Sequence, residues 1–485
     1  MAKAGTDFLY EEAELVLGLV APVGTDFDKF VETLGTCLKA FRYKPSSIRL
    51  SSLAASLVRS SSGKGGGEYE RLTRLMDAGN AARARGGDVL ALAAAAEIHR
   101  ARTTNKSQQK EPLSRTAHIV RSLKHPGEVQ TLRRIYGRGF FLIGVVASEA
   151  ERRTFLAARK GCTESEIDKL LARDEDEGDD GQRTRDTFHL ADTFLAIDDQ
   201  KALQRFLGLV FGSPHETPSP DEYAMFLAFS AGLRSADLSR QVGAVIASAA
   251  GDIVAVGAND VPIAGGGLCW PGVHDHRDHK LGYDTNERQR REIVDEILEA
   301  VRPPGVRKED WQRRGWTRLK GAAVMDITEY GRAAHAEMEA LLSCARSGIS
   351  TRGSSVFSTT FPCHNCAKHL IAAGIQRVVY VEPYPKSRAA SMYPDSIQLG
   401  GMARAGSVLF EPFQGVGPRR FFDLFSIGLS SGYVVKRKQN GDARSWEPKT
   451  AVLRAPLLPN SYIVREAAAA AALLNIMPRR KEPRK

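Results

Sequence analysis

Apolar positions divide the chain into two zones that predict different arrangements of strands and helices. In the first zone, roughly residues 14–199, short apolar runs alternate with amphipathic segments. The run Leu15–Val20 ends at a Gly/Pro turn, and a helix is predicted from about Asp26. A second apolar run over residues 138–147 precedes an amphipathic segment over residues 149–159. This alternation predicts an α/β domain with a largely parallel sheet.

The second zone begins after a stretch rich in proline and polar residues. Residues 213–220 are therefore expected to form a linker, followed by an apolar-periodic helix over residues 221–235. Two strand-like runs at 241–247 and 252–257 flank a glycine-containing turn, which predicts a hairpin. A long polar insertion then extends to about Ile327.

After the insertion, helices and strands alternate again. The pattern predicts a helix over residues 335–346, the strand Ser355–Thr360, a helix over residues 366–373 and the strand Arg377–Glu382. The first predicted helix begins at His335 and the second at Cys366, so both begin at residues that can bind a metal.

Length and charge limit the choice of architecture and partners. A chain of 485 residues exceeds a single ordinary core, so two or three domains are expected. The formal net charge of +11 suits phosphate-bearing partners, from free nucleotides to nucleic acid. Part of that charge lies in residues 478–485, expected to be a solvated basic tail. Residues 60–67 are expected to form a flexible loop, and the acidic residues 174–180 a solvated loop.

The cysteines argue against a disulfide framework. They are Cys37, Cys162, Cys269, Cys344, Cys363 and Cys366. Only the last two form a CxxC pair, so a reducing cytoplasm is the expected compartment. The first residues lack the apolar core of a signal peptide, and the apolar residues 467–477 are too few to cross a bilayer. We therefore expect no membrane association.

Two short motifs carry the most specific chemistry. They are His335-Ala-Glu337 and Pro362-Cys-His-Asn-Cys366, and together they match the H-x-E and P-C-x-x-C pattern of zinc deaminases. One imidazole and two thiolates suit Zn²⁺ and leave the fourth tetrahedral position to water. His335, Cys363 and Cys366 are thus the predicted metal ligands.

Glu337 is the predicted catalytic residue. Two residues after His335, it is placed to reach a zinc-bound water and not the metal itself. We expect it to move protons from that water to N3 of a pyrimidine and then to the departing amine. Taken alone, an HxE is usually an ordinary helix surface, and a CxxC could be redox-active or half of a zinc ribbon. Their combination favours a catalytic site.

Residues 221–400 resemble the deoxycytidylate deaminase branch of the cytidine deaminase superfamily. Besides the two motifs, the resemblance rests on Ser239-Arg-Gln-Val-Gly-Ala-Val-Ile246, Gly257-Ala-Asn-Asp260 and Glu382-Pro-Tyr384. It implies a three-layer α/β/α domain with the metal between two helix N-termini. It also implies that Asn259 contacts the sugar and that Tyr384 lines the pocket. Arg240, with Lys386 or Arg388, is a candidate phosphate contact.

The whole chain resembles a longer bacterial group, the anti-phage deoxycytidine nucleotide deaminases that carry an N-terminal P-loop-like domain. The segments that carry this resemblance are Gly18-Leu-Val-Ala-Pro-Val-Gly-Thr25, Asp77-Ala-Gly-Asn80, Ser122-Leu-Lys-His-Pro-Gly-Glu128, Arg133-Arg-Ile-Tyr-Gly137 and Pro383-Tyr-Pro-Lys-Ser387. The resemblance implies an enzyme that depletes dCTP and dCMP pools on phage infection.

The expected fold class is α/β, with an N-terminal P-loop kinase-like α/β domain and a C-terminal cytidine-deaminase-like domain. The predicted boundaries are a regulatory or nucleotide-sensing domain at 1–212, a linker at 213–220, the deaminase domain at 221–430 and a C-terminal extension at 431–485.

The N-terminal loop departs from the P-loop pattern G-x-x-x-x-G-K-[ST]. Alignment on Gly24 puts Leu19 in place of the first glycine, Thr25 in place of the lysine and Asp26 in place of the Ser/Thr. Gly18, Gly24 and Thr25 remain a candidate nucleotide loop, because the turn could still offer backbone N–H groups to a phosphate. We expect a nucleotide sensor or a scaffold and not an active kinase; a structural remnant is the alternative.

Several alternatives stay open on the sequence alone. The substrate could be dCTP or dCMP, and the enzyme could be a housekeeping dCMP deaminase or act on single-stranded DNA or RNA. A regulatory protein with a purely structural zinc site is a further alternative. His274, His276 and His279 could bind a second metal or lie in an ordinary polar loop. A homo-oligomer is expected, and a regulatory RNA or protein remains open as a partner.

Overall fold

The computed structural model describes residues 13–58, 66–103, 112–175, 177, 181–384, 386–429, 432–456 and 459–477. Most of the flexible loop expected at residues 60–67, and the basic tail expected at 478–485, lie outside the described residues.

The described residues form strands and helices of ordinary length. Numbered along the chain, the strands are β1 (Leu15–Val20), β2 (Lys44–Arg49), β3 (Thr116–Arg121), β4 (Phe140–Val146), β5 (Thr193–Ala196), β6 (Gly243–Ala247), β7 (Ile253–Ala258), β8 (Ser355–Thr360), β9 (Arg377–Glu382), β10 (Ile397–Leu399), β11 (Val408–Pro412), β12 (Gly415–Val416), β13 (Lys438–Gln439) and β14 (Asp442–Ala443). The helices are α1 (Phe27–Ala40), α2 (Leu50–Leu57), α3 (Glu68–Arg83), α4 (Val89–Thr103), α5 (Pro126–Tyr136), α6 (Glu149–Lys160), α7 (Glu164–Glu175), α8 (Thr184–Phe188), α9 (Gln200–Val210), α10 (Pro220–Gly232), α11 (Asp278–Leu281), α12 (Thr285–Ala300), α13 (Lys308–Leu319), α14 (Ala336–Arg346), α15 (His364–Ala372), α16 (Ala389–Met392), α17 (Phe421–Phe425) and α18 (Pro459–Ile476).

The chain divides into two compact units. Unit 1 takes the described residues up to Glu222 and those from Gln414 onwards, and unit 2 is Tyr223–Phe413. This differs from the predicted boundaries, in which a deaminase domain ended at residue 430 and a separate extension followed. The reason is that β12 pairs with β5 and α18 packs on α4, so the C-terminal segment completes unit 1.

Unit 1 is built on a six-stranded sheet in the order β12-β5-β4-β1-β3-β2. The first five strands along the chain pair in parallel, and β12 is antiparallel to β5. Leu15, Leu17 and Leu19 alternate along β1 and pack into one core with α1 and α9. The prediction of an α/β fold with a largely parallel sheet is thereby confirmed.

A buried charge cluster links distant parts of unit 1; it consists of Glu14, Arg102, His118, Tyr462 and Glu466. Arg102 Nη2 donates to Glu14 Oε2 at 2.8 Å and to Glu466 Oε1 at 3.0 Å. His118 Nε2 lies 3.0 Å from Glu14 Oε1, and the Tyr462 hydroxyl donates to Glu14 at 2.5 Å. Because Tyr462 and Glu466 lie on α18, the cluster fixes that helix to the rest of the unit.

Unit 2 contains a mixed sheet in the order β10-β11-β9-β8-β6-β7. The hairpin β6–β7 and the pair β6–β8 are antiparallel, whereas β8, β9, β11 and β10 run parallel. The predicted hairpin and the strands β8 and β9 are confirmed.

Helices cover both faces of this sheet. Ala244 and Ile246 pack with Ala336 and Ala340 of α14. Gly243, the position before Ala244, lies against α10, where an added Cβ would approach Ala228 O to 1.8 Å. Since successive strand residues face opposite sides, α14 and α10 form the outer layers of a three-layer arrangement.

One residue of the acidic segment at 174–180, Asp174, differs from the sequence interpretation, whereas Glu175 and Glu177 are exposed; residues 176 and 178–180 lie outside the described residues. Asp174 lies in the last turn of α7 and is buried, whereas a solvated loop was expected. Its carboxylate accepts from Val23 N at 2.8 Å and lies 2.7 Å from Lys124 Nζ. A buried ion pair with a distant lysine cannot be read from a local run of acids, because its partner comes from tertiary contacts.

Candidate active site and metal centre

Three predicted ligands converge between two helix N-termini of unit 2. His335 Nδ1 lies 3.3 Å from Cys363 Sγ and 3.4 Å from Cys366 Sγ. Among the residues that the structure describes, this is the one group of potential metal ligands whose atoms all lie within 4.8 Å of one another. Tetrahedral zinc with Zn–S near 2.3 Å and Zn–N near 2.0 Å separates its ligand atoms by roughly 3.5 Å. The donor set and its spacing therefore fit such a metal.

Local structure explains why the cysteines meet. Strand β8 leads to Pro362, and Cys363 is the N-cap of α15. The Cys366 N–H donates to Cys363 Sγ at 3.4 Å, so the first helical turn brings both sulfurs to one side. Both sulfurs thus lie where the helix dipole favours a thiolate.

His335 is held by a different device. It is the N-cap of α14, and Ala334 before it pairs with Asp260 in an antiparallel bridge, with Ala334 N donating to Asp260 O at 2.9 Å. The long insertion therefore ends beside Asp260, the second residue after β7. This return of the chain fixes the imidazole opposite the two sulfurs.

Glu337 lies in the first turn of α14 and is buried, with 4% of its surface exposed. Its Oε2 accepts from Cys366 Sγ at 3.5 Å. Burial raises the pKa of Glu337 above its ordinary value, although the His335 charge opposes the shift. The carboxyl group is therefore next to the ligands but is not one of the three.

The three ligand groups also shift one another's protonation. A hydrogen bond from Cys366, together with His335, lowers the pKa of Cys363 to about 4 against the effect of burial. The same shared hydrogen bond and burial raise the pKa of Cys366. Hydrogen bonding to Cys363 raises the pKa of His335 to about 9, although burial opposes the shift. Such an arrangement favours a thiolate at Cys363.

The three candidate metal ligands, which together we call the metal group, lie beside a cavity of about 220 Å³. Its lining includes the predicted residues His335, Glu337, Cys363, Asn259, Arg240 and Tyr384. Arg240 Nη1 lies 3.2 Å from Glu382 Oε1, and its guanidinium carbon lies 5.7 Å from the centre of the Tyr384 ring. About half of the Arg240 side chain remains exposed at the cavity, so its charge is held but accessible.

Asn259 is positioned by its own neighbours. Its Oδ1 accepts from Val242 N at 2.6 Å, and its Nδ2 donates to Arg240 O at 2.9 Å. The amide therefore joins the end of β7 to the segment that carries Arg240. It lines the cavity while both of its ends are hydrogen-bonded to backbone.

Residues of the insertion and of the segment after α10 also line the cavity, which the sequence did not predict. Asp284 caps α12 and accepts from Glu287 N at 2.7 Å, and Arg332 Nη1 lies 2.9 Å from Asp278 Oδ1. Asp237 accepts from the backbone of Ser239 at 2.8 Å. The side chains that line the cavity are those of Asp237, Asp278, Asp284 and Arg332. The sequence signal that could have indicated Arg332 was its proximity to a predicted ligand, because it precedes His335 by three residues.

The remaining candidates lie outside the metal group. Lys386 Nζ pairs with Asp326 at 2.8 Å. His279 Nε2 lies 3.5 Å from Asp275, and the His274 and His276 rings are 6.5 Å apart. These three histidines do not converge with one another as His335, Cys363 and Cys366 do.

In unit 1, the candidate nucleotide loop is shorter than expected. Gly18 lies inside β1, where an added Cβ would come within 2.6 Å of Leu123 and Phe140. Gly24 adopts φ +89°, and the Thr25 hydroxyl donates to Pro22 O at 2.8 Å. The Asp174 carboxylate accepts a hydrogen bond from the Val23 N–H of this turn. Its interpretation as a P-loop relative stays a prediction.

Comparison with known families adds an independent observation. Residues 218–382 match the family model described as the cytidine and deoxycytidylate deaminase zinc-binding region. This part of the chain is thus similar to the zinc-binding region of that deaminase family. The matched residues contain both motifs, the hairpin β6–β7 and the whole insertion.

Individual relatives match parts of the chain. ComE operon protein 2 of Bacillus subtilis is 45% identical over 53 residues, which are 11% of this chain and 28% of that protein. Deoxycytidylate deaminase of Enterobacteria phage T4 is 43% identical over 54 residues, 11% of this chain and 28% of that protein. The human deoxycytidylate deaminase is 26% identical over 160 residues, 33% of this chain and 63% of that protein. The chain thus spans less than a third of the bacterial and phage relatives it matches.

Among solved structures, dCMP deaminase from the cyanophage S-TIM5, in complex with dCMP and dUMP, is 20% identical. The match covers 41% of this chain and all of that one, with a TM-score of 0.24.

Among the described residues, none of the helices has the length and apolar character that crossing a bilayer requires.

Proposed function

We propose that the chain is a zinc-dependent hydrolytic deaminase of deoxycytidine nucleotides. The observation that carries the proposal is the convergence of His335, Cys363 and Cys366 beside the buried Glu337. A structural zinc site would use all four positions for protein ligands, whereas three ligands leave one position for the reaction. The reaction consumes cytosine and water and yields uracil and ammonia.

In this proposal, His335, Cys363 and Cys366 would hold the zinc, and the zinc would lower the pKa of a water molecule to about 7. Glu337 accepts the proton of the attacking water, delivers a proton to N3 of the ring, and passes one to the departing amine at C4. Burial keeps competing solvent away from the carboxyl group. The first turns of α14 and α15 hold the proton carrier and the ligands in fixed relative positions.

Arg240 is the proposed phosphate contact. Its guanidinium is held by Glu382 and the Tyr384 ring while part of it remains exposed at the cavity. Phosphate accepts bidentate hydrogen bonds from arginine, so Arg240 favours a nucleotide over a nucleoside. Both dCMP and dCTP present a phosphate, and both are proposed substrates.

Metal content and ammonia release test the activity together. The purified chain is assayed with dCMP, dCTP, deoxycytidine and a cytosine-containing single-stranded oligonucleotide. We expect turnover of dCMP, dCTP or both, and bound zinc near one equivalent. Glu337→Gln should retain zinc and lose activity about 10²–10⁴-fold, the range typical of a general acid–base residue. Deamination of the oligonucleotide alone would overturn the nucleotide proposal.

A second variant tests phosphate recognition. Arg240→Gln should raise KM for the nucleotides while leaving turnover of deoxycytidine unchanged. An equal effect on nucleotide and nucleoside would show that Arg240 does not read the phosphate.

The proposed biological role is depletion of deoxycytidine nucleotides during phage infection. It rests on the whole-chain resemblance of the sequence to anti-phage deaminases. Bacteria expressing the chain should lose dCTP and dCMP after infection and yield fewer plaques, whereas cells expressing Glu337→Gln should match the empty-vector control. Protection by both proteins would show that the defence does not need the chemistry.

A further inference from the structure

Unit 1 contains a second cavity, of about 200 Å³, that the proposed deaminase does not use. It opens at the carboxyl ends of the parallel strands β1, β2 and β3, the edge where open α/β sheets bind ligands. Arg49 ends β2, Arg121 ends β3, and the turn after β1 closes a third side. Ser122, also in the lining, adopts φ +67°, a strained conformation for a residue with a side chain.

Two arginines give this cavity a positive pole. Arg121 Nη2 and Arg49 Nη2 share one oxygen of Asp28, at 2.5 and 3.2 Å. The Arg121 side chain is nine-tenths buried, and among the described residues its Nε has no hydrogen-bond partner. The Asp28 side chain, by contrast, is 74% exposed. The guanidinium is therefore fixed, whereas the carboxylate that neutralises it is free to move into solvent.

A competing anion could displace that carboxylate. Because the Asp28 side chain is mostly exposed, water can solvate its carboxylate when it turns away from the arginines. A phosphate group carries up to two charges and several acceptor oxygens, which match the donors of two arginines. Arg71 and Lys160 also line the cavity and share Glu68, which keeps the region positive.

The turn after β1 does not provide the anion site. Asp174 already accepts from Val23 N, and the Lys124 ammonium lies between Asp174 and Ala21 O, at 2.7 and 2.6 Å. A buried carboxylate thus takes the place that a phosphate would need at this turn. The anionic end of a ligand is directed instead to Arg49 and Arg121.

The rest of the cavity suits a ring system. Its apolar lining includes Leu50, Leu72, Met76 and Phe155. Gln182, with 4% of its surface exposed, brings a side-chain amide to the same cavity. An apolar wall with an amide at one point can hold a heterocycle and hydrogen-bond to its edge.

We propose that this cavity binds a nucleoside monophosphate, with the phosphate on Arg49 and Arg121 and the base against the apolar wall. The site is separate from the metal centre of unit 2, and the proposal does not depend on the deaminase activity.

Calorimetric titration of the full chain tests the proposal. The probes are AMP, GMP, CMP, UMP and dTMP, each with its nucleoside, and inorganic phosphate. At least one monophosphate should bind with one-to-one stoichiometry in Glu337→Gln protein, which prevents turnover in unit 2. The matching nucleoside and inorganic phosphate should each bind at least tenfold more weakly.

Two variants locate the binding. Arg121→Gln should weaken it at least tenfold. Asp28→Asn removes the competing carboxylate and should strengthen it several-fold, a gain that misfolding cannot produce. The absence of binding by every monophosphate, equal binding by inorganic phosphate, or an affinity unchanged in both variants would overturn the proposal. Binding abolished by Arg240→Gln but not by Arg121→Gln would assign it to unit 2 and overturn it equally.

Discussion

At the scale of single residues, Asn259 shows how a side chain can serve a site without facing the reacting atoms. Both ends of its amide are bonded to backbone groups, one of them at Arg240. Its loss should therefore act through the position of Arg240. A sugar contact, as the family resemblance implies, would have to share these hydrogen-bonding groups.

Substitution of Asn259 separates the two bonds. Asn259→Ala leaves Val242 N without its acceptor, and we expect a loss of about 1–3 kcal/mol in the free energy of unfolding. KM for dCMP should rise more than kcat falls. Asn259→Asp keeps the acceptor for Val242 N and should recover part of the stability. Urea unfolding and steady-state kinetics measure the two effects.

The opposite pattern would contradict a positioning role. If Asn259→Ala left stability unchanged but reduced kcat, the amide would act on the substrate directly. Zinc content is the control, since it should stay the same in all three proteins.

The sequence was sufficient to predict that His335, Cys363 and Cys366 lie together, because they occur in two short motifs with fixed helical spacing. It was insufficient for residues whose roles depend on distant partners. Asp174 is 151 positions from Val23, to which it bonds, and Arg332 reaches the cavity only because the insertion folds back. Local acidity and polarity describe such residues poorly, since burial and pairing are set by the tertiary structure.

At the scale of elements, the contact of β7 with α14 positions the candidate metal site. Gly257 of β7 faces the first turn of α14 so closely that an added Cβ would lie 2.1 Å from Ala336 O and 2.6 Å from Ala340 N. Both atoms belong to the backbone, so the helix itself would have to move. Ala336 directly follows the ligand His335.

Gly257→Ala should therefore reduce zinc retention and activity together. We expect a loss of about 1–3 kcal/mol in the free energy of unfolding from the overpacked contact. Gly428→Ala is the matched control, because an added Cβ there meets nothing within 4 Å. Metal analysis after dialysis and a thermal melt give the measurement; an unaltered zinc content in Gly257→Ala would contradict this account of the contact.

Predicted elements agree with the structure where the apolar pattern is strong. The buried strands β1 and β4 and the hairpin β6–β7 were expected from short apolar runs. The two-residue strand β12 was not, because so short a segment has no periodicity and its pairing with β5 depends on a chain return of more than 200 residues.

At the scale of the whole molecule, the buried charge cluster makes the stability of unit 1 depend on pH. Burial alone would raise the pKa of Glu14, but His118 and Arg102 lower it to about 2. A carboxyl group whose pKa is lowered on folding stabilises the folded state at pH values above its ordinary pKa of 4.5. This contribution is lost as the pH falls towards 2. We expect a decrease of about 2 kcal/mol between pH 6 and pH 3 from this group.

Hydrogen exchange of peptides from α4 and α18 measures this change. Glu14→Gln should destabilise both helices at pH 6 and flatten their pH dependence, because its side chain does not titrate. Glu149→Gln, which alters an exposed pair with Arg153, should leave the profile as in the unaltered chain. A pH profile of Glu14→Gln that matches the unaltered chain would assign the acid sensitivity to other groups.

Removal of α18 tests the same cluster from the other side. A chain ending at residue 456 lacks Tyr462 and Glu466, which leaves Arg102 and Glu14 partly unpaired. Breaking such a buried pair is worth about 3–5 kcal/mol. Limited proteolysis should then cleave unit 1 first, while peptides of Tyr223–Phe413 persist; equal resistance of unit 1 in both chains would refute the role given to α18.

The return of the chain from unit 2 into unit 1 also bears on synthesis at the ribosome. Glu14 and Arg102 emerge early, but β12, Tyr462 and Glu466 are made only after all of Tyr223–Phe413. At about 5–20 residues per second, unit 1 waits on the order of tens of seconds for its last helix. During that interval, while the middle unit is being synthesised, unpaired charges and an open sheet edge are exposed in the nascent chain. Nascent unit 1 is therefore the part of this protein that chaperones are expected to bind.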